Sequence, residues 1–229
     1  MTNSRIFTLC ACTGPALIAI FLIAMIPLAH MVPPLSPTMT GEQVVVFFDQ
    51  HRIGIRLGML LMMLGAGVGM VWPAAIADQM RRIEANSRVL TYTQLVSGVL
   101  SNFLFLPCAL FWSIAAFRPE RSPDLMLLLD DLGWFFLLMA VSPAIIQSLA
   151  FALAILSDKS ATPLFPRWLG YFNIWAAALF LPGGVLVFFK TGAFAWNGLF
   201  PFWIPLTVFS LWLVLNTIFV LKASKRSPA

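Results

Sequence analysis

Six long apolar runs, separated by short stretches rich in charge, proline or glycine, set the pattern of this chain. They lie at about residues 9–32, 53–76, 90–117, 132–156, 168–189 and 199–221. Each is near the roughly 20 residues a helix needs to cross about 30 Å of hydrocarbon. The runs are apolar throughout rather than alternating, which excludes the strands of a transmembrane barrel. The pattern predicts an all-α polytopic membrane protein: one domain, a six-transmembrane-helix bundle with short loops.

Local signals refine the boundaries. Pro33, Pro34 and Pro37 end the first run, because proline has no N–H and biases the residue before it away from helix. In the loop that follows, Thr40-Gly41-Glu42 and then Val44 to Phe48 suggest a short interfacial helix. The second helix is expected to continue through Asp78, Arg81, Arg82 and Glu84 into water. Residues 124–129 read as an extra turn of the fourth helix or a surface helix before it. Pro182-Gly183-Gly184 predicts a kink in the fifth. A short word also recurs: Leu104-Phe105-Leu106-Pro107 and Leu179-Phe180-Leu181-Pro182, preceded at similar spacing by Pro73-Ala74 and Pro143-Ala144. Transporters are often built from repeats.

Composition changes the picture in two ways. The chain is 60% hydrophobic and 10% charged, against about 45–50% and about 25% in a soluble domain. No polar stretch is long enough to add a soluble domain. The net charge of +5 is dispersed at the ends of apolar runs, a topology signal rather than a nucleic-acid footprint. With the N-terminus inside, one side holds Arg5, Arg81, Arg82, Arg88, Lys159, Arg167, Lys222, Lys225 and Arg226. The other holds Arg52, Arg56, Arg118, Arg121 and Lys190. The excess predicts cytoplasmic N- and C-termini in a multi-pass cell-membrane protein, the cytoplasmic membrane in a bacterium. Trp168 and Tyr171 are expected in the inner aromatic belt; Phe194, Trp196, Phe200, Phe202 and Trp203 are expected in the outer one. The first run is too long for a signal peptide and reads as a retained span.

Candidate chemistry is sparse. Asp130 and Asp131 stand where the fourth run begins, and ionisable groups within spans are rare and face protein or water. Arg52 and Arg56, spaced i,i+4 near the outer end of the second helix, fall at similar depth, with His51 beside them and His30 close in height. This predicts an outer polar cluster in which Arg56 pairs with one aspartate while the other faces a cavity or a neighbouring helix end. Asn102 and Gln147 lie midway and supply either interhelical glue or a polar track with the aspartates at its mouth. Asn173 and Asn216 match in depth near the inner side, as glue. Gly65 and Gly69 form a GxxxG pair suited to close helix approach, within the bundle or to a second copy or partner subunit. Cys10, Cys12 and Cys108 have no metal or disulfide spacing. No metal set, phosphate loop or nucleophile elbow is legible, and no cofactor is predicted; haem between His30 and His51 is weighed and set aside.

The favoured functional reading is a membrane protein that binds or moves an apolar or amphipathic small molecule or lipid, entered near Asp130, Asp131 and Arg56. The alternative is a non-catalytic accessory subunit of a membrane complex. An intramembrane enzyme or haem carrier is the least favoured. Membrane lipids are the expected partners; nucleic acid is not.

Overall fold

The computed structural model describes residues 3–84 and 87–226. Among the described residues every regular element is helical and no strand occurs. Six helical stretches are long and apolar enough to cross a membrane: Ser4–Leu28, Gly41–Met80, Val89–Phe117, Pro123–Ser157, Arg167–Phe188 and Leu199–Ser224. They alternate in direction, so the bundle has one end that carries both termini and a distal end that carries the loops after the first, third and fifth stretches.

The boundaries move where caps, not hydrophobicity, decide them. The second stretch starts at Gly41 because Thr40 closes a capping box: the Gln43 N–H donates to Thr40 Oγ1 at 3.3 Å and the Thr40 N–H donates to Gln43 Oε1 at 2.9 Å. The expected interfacial helix is therefore the first turns of a single long helix, two orphan donors being satisfied at once. Pro123 occupies the first helical position of the fourth stretch, where its missing N–H is harmless. Residues 124–129 thus belong to that helix.

Most stretches are not one helix. The α-helical pieces are α1 (Asn3–Ile23), α2 (Gly41–Gly69), α3 (Trp72–Met80), α4 (Val89–Phe103), α5 (Phe105–Phe117), α6 (Pro123–Leu138), α7 (Ser142–Ser157), α8 (Arg167–Phe180) and α9 (Ile204–Ser224). Proline accounts for the interruptions, since it removes one i→i−4 bond and crowds the preceding turn. Pro73 follows the α2–α3 break, Pro107 the break at Leu104, and Pro143 the break at 139–141. At Pro182 the fifth stretch tightens into a 3₁₀ segment, Leu181–Phe188. Wide π turns occur at Ala24–Leu28 around Pro27 and at Leu199–Trp203 around Pro201.

Packing follows the small residues. Along α2, Gly54, Gly58, Gly65 and Gly69 turn to the first stretch and meet the Leu28 carbonyl, the Ala24 carbonyl, Ile20 and Leu17 in descending order. A Cβ at Gly58 would come within 2.6 Å of the Ala24 carbonyl oxygen. The close approach offered by Gly65 and Gly69 is thus taken up inside the chain, on the first stretch. Elsewhere α5 packs on α2 and α6, and α7 on α4 and α8, while α9 closes the bundle against α1 and α8. The tryptophans Trp72, Trp112, Trp134 and Trp212 are fully buried.

Two of the expected belt residues are core instead. Phe202 is buried against Trp134, and Trp196 is buried with its indole N–H donating to the Leu35 carbonyl at 2.7 Å. Trp168, Tyr171 and Trp203 are exposed.

Candidate functional site

The terminal end is tied shut. Arg82 donates to Gln79 Oε1 at 2.9 Å, the Ala223 carbonyl at 2.8 Å and the Arg226 carbonyl at 2.9 Å. Arg226 donates to the Pro163 carbonyl at 2.9 Å. Glu84 reaches over the start of α4 and accepts from the Thr91 N–H at 2.7 Å and the Thr91 hydroxyl at 2.6 Å. A carboxylate at a helix N-terminus satisfies orphan donors and complements the helix dipole.

About two turns deeper along α9, Asn173 and Asn216 pair reciprocally. Asn173 Nδ2 donates to Asn216 Oδ1 at 3.0 Å, and Asn216 Nδ2 to Asn173 Oδ1 at 3.2 Å. The Trp212 indole also donates to Asn173 Oδ1, at 2.6 Å. These amides hold α8 to α9, as the sequence reading expects of glue.

The distal end is built differently, and the expected Arg56–aspartate pair is not there. Arg56 instead donates from Nε and Nη2 to the Ala116 carbonyl at 3.0 and 2.8 Å, and from Nη2 to the Phe117 carbonyl at 3.0 Å. Arg52 donates to the same Ala116 carbonyl at 2.9 Å and pairs with Asp49, the one ion pair among the described residues. The physical reason is local. Helix α5 ends at Phe117, just before Arg118-Pro119, and its last carbonyls have no partner within the helix. Two guanidinium groups at that C-terminus satisfy them and complement the dipole. The i,i+4 spacing was legible; its target was not.

The two aspartates part company. Asp130 is buried beneath α5, and its Oδ1 accepts from the Trp112 indole at 2.9 Å. Trp134 packs edge-on to Trp112, with ring centroids 5.0 Å apart. Gly133 makes room, because a Cβ there would collide with the Trp112 ring. The hairpin turn at 118–122 explains the meeting: Trp112 and Asp130 stand at nearly equal distances on either side of it. That mirror spacing is the signal that would have found Trp112.

Asp131 is half-buried and faces a cavity of about 410 Å³ at the distal end. Lys190, Thr38, Leu127, Phe135, Leu186 and Trp196 are among its walls. The volume falls within the roughly 300–1,000 Å³ of small-molecule sites. Lys190 entered the sequence reading only as a topology signal. It lies two residues beyond the 3₁₀ segment, exposed, and lines the same cavity as Asp131.

His51 lies against His30, with ring centroids 4.8 Å apart, and its Nδ1 sits 3.0 Å from the Phe47 carbonyl. Neither histidine joins the aspartates. Asn102 and Gln147 come together around Gly98: Asn102 Nδ2 donates to the Gly98 carbonyl at 2.8 Å, and Gln147 Nε2 packs within 2.5 Å of where a Gly98 Cβ would be. Gln94, one turn before Gly98, is a buried amide that the sequence pattern does not single out, as is Gln79 at the terminal end. Gln94 and Gln147 make no protein hydrogen bond through either amide atom, and Asn102 Oδ1 makes none. Among the described residues no group of three or more His, Cys, Asp or Glu side chains is placed to hold a metal.

Below the distal cavity, a smaller apolar cleft of about 110 Å³ opens between α4, α6, α7 and α9. Its walls include Phe105, Leu138, Ala144, Phe180 and Phe209. Phe105 and Phe180, the aromatic residues of the recurring Leu-Phe-Leu-Pro word, both pack on Phe209, at 6.1 and 6.3 Å between ring centroids.

Taken together, fold and site define a multi-pass membrane-type helical bundle with a charged distal cavity above an apolar cleft. Compared with known proteins, the chain matches no family model, no curated protein and no solved structure.

Proposed function

We propose that this chain is a membrane-embedded protein that binds, and passes across or along the bilayer, an amphipathic small molecule or lipid taken up at the distal end. The observation that carries this reading is the distal cavity. It sets a carboxylate, Asp131, and an ammonium, Lys190, in a wall otherwise formed largely by Leu127, Phe135, Leu186 and Trp196. A cavity with a few convergent polar groups among apolar and aromatic side chains is the ordinary form of a small-molecule site. Asp130 is buried and taken by the Trp112 indole, so the charged rim of the cavity falls to Asp131 and Lys190.

The same reading orients the bundle. Nine of the fourteen Lys and Arg residues stand at the terminal end, which supports cytoplasmic termini and a distal end facing out. The site then opens to the outer leaflet. The accessory-subunit alternative gains nothing from Gly65 and Gly69, whose faces are filled by Ile20 and Leu17.

The test is retention of native lipid or other small amphipath by the purified chain, read by mass spectrometry of the intact complex. Wild type is expected to carry a stoichiometric ligand that Asp131→Asn and Lys190→Gln each weaken by about tenfold, the equivalent of roughly 1.4 kcal/mol. A chain that retains nothing, or that retains it equally in both variants, overturns the proposal.

A further inference from the structure

We infer that the ligand is a zwitterionic lipid, its headgroup held between Asp131 and Lys190 and one hydrocarbon chain lodged in the cleft beneath. This deepens the reading above and rests on it.

On α6, Leu127, Asp131 and Phe135 line the cavity and Leu138 lines the cleft. Steps of four, four and three residues keep these side chains on one helix face. Asp131 stands seven residues from Leu138, about 10 Å along the axis at 1.5 Å per residue. On the fifth stretch Leu186 lines the cavity and Phe180 the cleft; six residues, mostly 3₁₀ at about 2.0 Å each, give about 12 Å. On both elements the cleft therefore lies about 10–12 Å deeper than a residue of the cavity wall.

Asp131 matches a cationic headgroup group and Lys190 an anionic one, so a ligand carrying both signs satisfies the rim without leaving either charge unpaired. A purely anionic headgroup would meet Asp131 unfavourably. The cleft offers almost nothing polar except the Ser101 hydroxyl. Apolar cavities of about 150 Å³ lined by Leu, Ile and Phe stay dry and take hydrocarbon, and this one is close to that size. It holds part of a chain, not a headgroup.

Stretches three to six all leave regular α-winding at the cleft wall: at Leu104, at Ala140-Val141, just after Phe180, and at Pro201-Phe202. In a membrane, irregular backbone is tolerated where it is buried in protein or lines a cavity. Four interruptions converging on one apolar space make a recess among helices that would otherwise close it.

The test uses the full-length chain in detergent–lipid micelles. The probe is phosphatidylcholine bearing a photoactivatable diazirine near the end of one acyl chain. Phosphatidylglycerol and diacylglycerol with the same labelled chain serve as comparisons, and labelled peptides are mapped by mass spectrometry. Expected is labelling within 101–105, 137–144 or 201–209, about tenfold stronger for phosphatidylcholine than for either comparison lipid, and reduced about tenfold by Asp131→Asn. Ala144→Leu and Ala140→Leu, which fill the cleft from two positions, are expected to abolish it in protein that remains monodisperse. Equal cleft labelling by all three lipids overturns the headgroup assignment. Labelling confined to the distal cavity and unchanged by both cleft-filling variants overturns the chain assignment, while ligand retention there still upholds the broader proposal. Absence of specific labelling together with absence of any retained ligand removes both.

Discussion

Two pairs of buried amides, one between α8 and α9 and one between α4 and α7, carry the same functional group to different ends. Asn173 and Asn216 exchange hydrogen bonds and take a third from Trp212. Gln94 and Gln147 are as deeply buried, yet neither amide finds a protein partner. The first pair is short, sits on facing helices at matched depth, and is completed by an indole. The second lies beside Gly98, where Gln147 packs into the space of a missing side chain. An amide in a span is therefore glue only when its geometry closes a circuit. Residue type and depth alone do not decide it.

The strongest test of that contrast is Asn173→Leu. It strands the Trp212 indole and Asn216 together, and an abandoned buried polar group costs about 1–3 kcal/mol. A loss of about 2–4 kcal/mol is expected in reversible unfolding by a denaturing detergent. The Asn173–Asn216 double-mutant cycle should show coupling of about 0.6–1.7 kcal/mol, the range found between helices in membranes. Additive single losses would break the idea that the pair acts as a unit.

Next in size is Arg56→Leu. The Phe117 carbonyl loses its donor from Arg56, while the Ala116 carbonyl keeps Arg52. A destabilisation of about 1–3 kcal/mol is expected, with ligand retention at the distal cavity unchanged apart from the loss of folded protein. A selective loss of ligand would show that the arginine acts on the site and not on the helix end.

Gln147→Met should move stability the other way. It replaces an amide without protein partners by a side chain of similar volume, so a gain of about 1 kcal/mol is expected. A loss of stability would mean that Gln147 is satisfied by something other than protein, and the two amide pairs would then be alike.

Much of the fold was legible because the bilayer length requirement is crude and strong: six runs, six stretches. Proline and glycine positions forecast the kink at Pro182, and the matched depths of Asn173 and Asn216 forecast their pairing. The site was less legible for a reason that recurs at each residue. Side-chain partners depend on which helix faces which, and apolar runs carry almost no facial pattern. Arg56 was directed to an aspartate because charge is visible in sequence, whereas an unpaired helix-end carbonyl is not. Trp112 was invisible as a partner of Asp130 until the hairpin between α5 and α6 placed them together. Lys190 lies beyond the 3₁₀ segment, and nothing in its local sequence shows that it shares a cavity wall with Asp131. Trp196 and Phe202 read as belt residues because aromatic side chains near a span end look alike whether they face lipid or core.

The smallest expected effect lies at the terminal end, in the loop before α8. Burial opposes ionisation of Asp158, but hydrogen bonds from Ser160 and the Leu164 N–H outweigh it and hold its carboxyl below the ordinary range. A group with a depressed folded-state value stabilises the fold fully above its unfolded value of about 3.9 and loses that contribution as pH falls through the folded one. Unfolding followed from pH 6 downward should therefore show an added decline below about pH 4 in wild type. Asp158→Asn should lack that decline while leaving stability at neutral pH only slightly lower, because the group is largely solvent-screened. If the decline persists in the variant, acid acts elsewhere than on the Asp158 hydrogen bonds, and the closure of that end does not rest on this loop.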